Sequence, residues 1–241
     1  MIYQRLFQEK ANSVNDAEQL GYALYVKKTT KDCNIYLYDP KVLTKKNFTK
    51  LDGTKFILNS LIAVCQMNNA DHAFKAWEVR YTGAQKGWGI ILYDLMLSIA
   101  GKQGLEPNRA SVSDMARKVW DYYFTKRKSE ITTKPIDDMD KPLTKSKVDD
   151  EYVHEPFTDK QPLENRHPVD RVYYLKSKSS INIEPLIKNH EKFINSLQEM
   201  GINKLFVLNL FNDRMVSTFY QHIKKQREKT WDTKDYSKKK L

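Results

Sequence analysis

Residues Trp77 to Gly101 hold the pattern that most restricts the fold. Trp77-Glu78-Val79-Arg80-Tyr81 reads as a strand, Thr82-Gly83-Ala84-Gln85-Lys86-Gly87-Trp88-Gly89 as a glycine-bearing turn, and from Ile90 the apolar residues take helical spacing. Ile90, Ile91, Tyr93, Leu95, Leu97 and Ala100 cover most of that helix's circumference, which predicts burial on several sides, and Gly101 suits its C-terminal cap. A strand that runs through such a turn into a helix aims successive backbone N–H groups and a helix N-terminus at one point. A pyrophosphate fits there, and a Cβ at Gly87 or Gly89 would hold it off the backbone. The same two glycines also serve an ordinary strand–turn–helix.

The segments before this turn predict antiparallel strands. Gly21 to Val26 and Asn34 to Tyr38 have strand composition around the polar turn Lys27 to Asp32. The long apolar run Phe56 to Gln66 and the run Ala73 to Tyr81 extend the meander, with a turn predicted at Met67 to Asp71. Beyond Gly101, Gly104 to Asn108 has room for a brief strand only. Ser113 (or Ser111) then caps a helix in which Met115, Val119, Tyr122 and Tyr123 recur at helical spacing. The expectation is an α+β domain over residues 1–130, a mixed and mostly antiparallel sheet flanked by helices.

Residues 131–168 are poor in apolar side chains and punctuated by Pro135, Pro142, Pro156, Pro162 and Pro168, so they read as an extended connector. Residues 169–241 read as a helical C-terminal extension. Leu186, Ile187, His190, Phe193, Ile194, Leu197 and Met200 form one helix face, with Pro185 in its first turn and Gly201 closing it. Leu205 to Leu210 fits a buried strand or the start of the next helix. Met215, Val216, Phe219, Tyr220 and Ile223 are helically spaced.

Charge and cysteine usage exclude several classes. With 41 basic and 30 acidic residues the net charge is +11, which suits an anionic partner without naming it. From Phe219 to Leu241 there are eight Lys or Arg against three acids, ending in Ser237-Lys238-Lys239-Lys240. That end is either a solvated tail or an arm that binds nucleic acid weakly, although no interleaved aromatic–basic platform accompanies it. Cys33 and Cys65 sit in apolar segments with no CxxC pair, as buried free thiols would. His72, His154, His167, His190 and His222 lack metal-ligand spacing. No apolar stretch reaches the roughly 18 residues of a membrane span, and Met1 to Lys10 does not read as a signal peptide. A soluble protein of the host cytoplasm or of a virus particle is the expectation.

The turn Ala84-Gln85-Lys86-Gly87-Trp88-Gly89 resembles the acetyl-coenzyme A signature of the GNAT superfamily of N-acetyltransferases, Gln/Arg-x-x-Gly-x-Gly/Ala. Ser113-Asp114-Met115-Ala116 resembles the superfamily's second signature, Asn-x-x-Ala. The strings Pro107 to Ser113 and Val119-Trp120-Asp121-Tyr122-Tyr123 look like a bacteriophage-encoded branch. The resemblance covers about residues 20–130. It implies acetyl-coenzyme A in a cleft between splayed strands, with its pyrophosphate on the Gln85, Lys86, Gly87, Trp88 and Gly89 backbone. It also implies a thioester carbonyl bonded to a strand amide between Val79 and Tyr81, with Ser113 completing the cofactor residues. An amine of a protein or small molecule would attack directly, without an acyl-cysteine. Glu78 is the base candidate, its alternative being an outward-facing strand residue in a salt bridge.

Two departures bear on activity. Ala84 stands where the superfamily usually has Gln or Arg, beside Gln85 and Lys86. Trp120 stands where a tyrosine often protonates the departing thiolate, and the helix turns Tyr122 and Tyr123 about 200° and 300° away from it. Tyr122 and Tyr123 nonetheless remain the acid candidates. The alternative to an enzyme is a degenerate GNAT-like component of a virion or of host takeover, with virion or self-association partners.

Overall fold

β1 (Ala23–Lys28) and β2 (Asp32–Tyr38) form the expected hairpin, pairing Ala23 with Tyr38 through Lys28 with Cys33. Thr29 Oγ1 closes the turn by accepting the Lys31 and Asp32 amides. Successive β2 side chains go to opposite faces. Cys33, Ile35 and Leu37 enter one core, while Tyr36 and Tyr38 enter another. The computed structural model describes residues 12–43, 53–69, 76–108, 112–136, 168–177 and 181–236.

The remaining strands are β3 (Leu61–Asn69), β4 (Trp77–Ala84), β5 (Leu105–Glu106), β6 (Ile131–Pro135) and β7 (Arg171–Leu175). They form one sheet in the order β1-β2-β3-β4-β5-β7-β6, parallel at β4–β5 and antiparallel elsewhere. β3 lies inside the sheet between β2 and β4, and Leu61 to Cys65 are all buried, as a strand covered on both faces requires. The helices are α1 (Val14–Gln19), α2 (Gly53–Ser60), α3 (Gly89–Ala100), α4 (Asp114–Lys126), α5 (Glu184–Glu199), α6 (Lys204–Leu210) and α7 (Asp213–Tyr236). α1, α3 and α4 contribute to the core on the Ile35 face; α2, α6 and α7 contribute to the core on the Tyr36 face. α5 contributes to both, with Leu186 on one side and Phe193 and Leu197 on the other. The expected mixed, mostly antiparallel sheet flanked by helices is the fold of this chain.

Several sequence expectations need correction. Phe56 to Gln66 is not one strand: its first part lies in α2. β2 offers only seven residues for pairing, and β3 uses them from Leu61 onward, so the backbone before Leu61 satisfies itself in a helix. The turn expected from Met67 begins later, since Met67 and Asn68 still pair with β2 and Asn69 with Trp77 on β4. The boundary expected at residue 130 is crossed by the sheet. β6 belongs to the stretch read as a connector, and β7, read as part of the helical extension, inserts between β5 and β6 with Tyr173 opposite Leu105. A two-residue β5 needs that neighbour to satisfy its outer edge. Pro135 ends β6 at the sheet's rim, where a strand tolerates a missing N–H. The segment left open at Leu205 is helix α6, capped by the Asn203 side chain on the Leu205 and Phe206 amides. Residues 137–167 of the connector, Ser111 and the Ser237–Lys240 end lie outside the described residues. No described helix is long and apolar enough to cross a membrane.

α5 is held on the β1 edge by polar contacts within apolar surroundings. Asn189 Nδ2 donates to the Tyr22 carbonyl at 2.9 Å, and His190 stacks on Tyr25 with Nδ1 2.8 Å from the Tyr38 hydroxyl. Burial, with help from Lys204, lowers the His190 pKa to about 4. The folded state therefore keeps His190 neutral while the unfolded chain takes a proton near pH 6.5. Its contribution is intact above pH 6.5 and is lost as the pH falls toward 4, by about 3 kcal/mol in all. Urea unfolding of wild type and His190→Phe between pH 7 and 4 checks this. The variant is expected to be less stable at pH 7, because the Tyr38 hydroxyl loses its partner, and to show a visibly shallower decline on acidification.

Candidate functional site

The parallel pair at the sheet's middle opens after two rungs. Trp77 faces Leu105 and Glu78 faces Glu106, and beyond them β4 has no pairing with β5. On its other side β4 carries a bulge: Met67 is opposite Val79 and Gln66 opposite Tyr81, so Arg80 has no opposite residue on β3. Among the described residues Arg80 thus lacks a strand partner on both sides. A bulge bends its strand and leaves backbone groups out of the ladder, and such irregularities recur beside active sites.

A cavity of about 690 Å³ lies at this break. Val79 to Ala84 form one wall, α3 adds Gly89, Leu92 and Tyr93, and α4 adds Ala116, Val119 and Trp120 beyond the Ser113 cap. α7 closes the remaining side with Tyr220, Ile223 and Lys224. α7 approaches β4 closely because Gly83 has no side chain; a Cβ there would meet Tyr220 Cα at 3.3 Å. The C-terminal extension is therefore a wall of the site.

Of the expected cofactor residues, Val79, Tyr81, Gly89 and Ser113 line the cavity. Ser113 Oγ caps α4 by accepting the Ala116 amide at 3.3 Å. Gln85, Lys86 and Gly87 form the exposed turn before α3, outside the lining. The Gln85 amide is committed to the Ile62 carbonyl at 2.9 Å and its side chain to the Leu61 carbonyl at 2.8 Å, so the fold itself uses Gln85. Gly87 has φ +85° and its carbonyl accepts the Asn12 amide, which gives that glycine a backbone reason. Gly89 has neither constraint: its φ is ordinary and a Cβ would meet nothing within 4 Å. Trp88 is buried against Tyr22, 5.2 Å between ring centroids, and no side-chain hydrogen bond caps α3.

The expected catalytic residues fall elsewhere. Glu78 is buried at the last β4–β5 rung, where it accepts from Arg80 Nη1 at 3.4 Å, and the lining begins one residue later. Tyr123 is fully buried between α3 and α4. Its hydroxyl lies 2.5 Å from Asp94 Oδ1 and 3.3 Å from the Ile90 carbonyl, with Arg127 bonded to the same carboxylate. Burial and the Asp94 charge raise its pKa well above that of an ordinary phenol. That phenol fastens two helices together and is not placed to protonate a leaving group. Tyr122 packs edge-on against Tyr123 and is likewise absent from the lining. The period of the helix alone could not reveal that the Tyr123 direction faces Asp94.

Trp120 does reach the cavity, and beside it stands a phenol that the sequence reading assigned only to the core. Tyr93 is edge-on to Trp120 at 5.0 Å, lines the same cavity as Thr82, and is raised in pKa by burial. Its position one turn into the apolar helix that follows the glycine turn was the available signal. The cysteines are free and buried as expected. Burial lifts Cys33 to about 11 and Cys65 well above its usual value, which removes both as nucleophiles. No cluster able to hold a metal ion occurs among the described residues. Searches with protein-family models, curated proteins and solved structures find no match to this chain.

Proposed function

We propose that the cavity receives acetyl-coenzyme A and that the protein is an N-acyltransferase of the GNAT kind, transferring the acetyl group to an amine. The observation that carries this reading is the double loss of pairing at Arg80, which frees β4 backbone at the cavity wall. Such backbone suits a thioester carbonyl, whose oxygen gains charge as the amine attacks. Gly89 supports the same reading: the fold leaves its Cβ position empty, in the first turn of a helix with no side-chain cap. When bound, acetyl-coenzyme A supplies an activated acyl group with a thiol as leaving group. Val79 to Tyr81 orient the carbonyl, Leu92, Val119 and Trp120 exclude water, and Tyr93 holds a proton next to the position the resemblance assigns to the acid.

A second reading is favoured by the placement of Glu78 and Tyr123 away from the cavity: a module that binds the cofactor without turnover, in a virion or in host takeover. Calorimetry with acetyl-coenzyme A and free coenzyme A tests what the readings share, and absence of binding at millimolar ligand refutes both. Acetyl transfer to an amine panel separates them. Under the first reading, Tyr93→Phe keeps coenzyme A affinity and lowers turnover on the order of 10²-fold. No transfer to any amine by a wild type that binds coenzyme A leaves the second reading standing.

A further inference from the structure

The described residues lining the cavity include two cations, Arg80 and Lys224, and no carboxylate. The two come from different elements that meet through aromatic rings. Tyr81 follows Arg80 on β4, Tyr220 precedes Lys224 by one turn on α7, and the Tyr81 and Tyr220 ring centroids are 6.1 Å apart. Residues four apart share a helix face, so Lys224 is presented on the Tyr220 side. α7 is fixed there by Met215, Val216, Phe219 and Ile223, all buried. Arg80 gives Nη1 to Glu78 and is 45% exposed, which leaves guanidinium donors for a ligand.

An ordinary alkyl ammonium entering this cavity meets Lys224 and an Arg80 already paired with Glu78, and no carboxylate among the described lining residues. We infer that the amine acceptor carries its own anionic group, a carboxylate or a phosphorus oxyanion, held by Arg80 and Lys224 beside the Tyr81–Tyr220 pair. The inference rests on the acyl-transfer reading of the same cavity. In the step it serves, the acceptor nitrogen forms a bond to the acetyl carbon as the C–S bond breaks. The sulfur keeps the electron pair, and the proton displaced from nitrogen passes to water. The cation pair is separate from the turn proposed for the pyrophosphate: four strand steps, about 13 Å, separate Arg80 from Ala84.

Calorimetry on the full chain saturated with coenzyme A, using three probes that share a phenylethyl skeleton, tests this. They are phenylalanine, 2-phenylethylamine and 1-amino-2-phenylethylphosphonate. Phenylalanine and the phosphonate are expected to bind at least about tenfold more tightly than phenylethylamine, and the order of the two acids tells carboxylate from phosphorus oxyanion. Lys224→Gln is expected to remove most of that preference, weakening both acids and, with one like charge gone, tightening phenylethylamine. Equal binding of the acids and phenylethylamine, or no binding of either acid, overturns the inference. So does a Lys224→Gln variant that loses coenzyme A affinity and keeps the preference, since Lys224 would then serve the cofactor. A protein that binds no coenzyme A but still prefers the acids refutes the acyl-transfer reading and supports the anion-holding role of the two cations.

Discussion

Replacing Gly89 by valine is expected to abolish coenzyme A binding while the protein stays folded. Gly89 opens α3, and its Cβ position has open space within 4 Å, so the fold has room for the larger residue. Its φ is not in the left-handed region, so no strain penalises a side chain there. A ligand whose phosphates lie against the first turn of α3 has no such room, because a branched Cβ stands where the phosphate oxygens must approach the amides. Coenzyme A at about 100 times its dissociation constant stabilises the wild type by roughly 2.7 kcal/mol, and that shift should vanish in the variant. Thermal melts with and without ligand read both halves of the expectation. Full retention of the ligand-induced shift would mean that the α3 N-terminus does not hold the phosphates.

The largest expected loss of stability follows from Arg127→Met. Arg127 caps the C-terminal end of α4, bonds Asp94 on α3, and reaches Glu130 through Nε at 3.1 Å and Nη2 at 2.5 Å. Asp94 is buried, and burial raises its carboxyl above the usual range even though Arg127 and Tyr123 pull it down. Removing the guanidinium strands that carboxylate, a change that typically costs about 3–5 kcal/mol. For a chain of this size that is a fall of roughly 10 °C in Tm. The sign with pH is diagnostic. A carboxyl raised in the folded state destabilises while ionised, so the variant should regain stability as the pH falls through the raised Asp94 value. Arg127→Met combined with Asp94→Asn should recover much of the loss at pH 7, because the buried charge is gone. An unaltered Tm in the single variant would show that the α3–α4 contact does not depend on this pair.

Much of the architecture was legible. The β1–β2 hairpin, the strand–turn–helix at Gly83 to Ala100, the Ser113 cap and the amphipathic face of α5 all appear where residue period and turn chemistry place them. α1 was legible and overlooked: Ser13 and Asp16 form a capping box, the Ser13 hydroxyl accepting the Asp16 amide and the Asp16 carboxylate accepting the Ser13 amide. β6 and β7 were not. Ile131-Thr132-Thr133-Lys134-Pro135 and Arg171-Val172-Tyr173-Tyr174-Leu175 are short, and their strand character comes from pairing with each other across 35 residues.

The site divides along the same line. The sequence by itself determined that β4 runs through a glycine turn into a buried helix, and that Ser113 opens another helix nearby, because caps, turns and apolar period are local properties. The tertiary structure alone decided which side chains share the cavity. Val79, Tyr81 and Gly89 line it because β4 parts from β5 after Glu78 and bulges at Arg80, both of which are relations between strands. Tyr123 is withdrawn into the Asp94–Arg127 network, while Tyr93, spaced like any core residue, lines the cavity edge-on to Trp120. Lys224 enters from a helix more than 140 residues away in sequence because Gly83 lets α7 lie against β4. Spacing along one element fixes the direction of a side chain only relative to its own axis. Which neighbour that direction meets depends on how the elements pack, and that is set by burial summed over the whole chain.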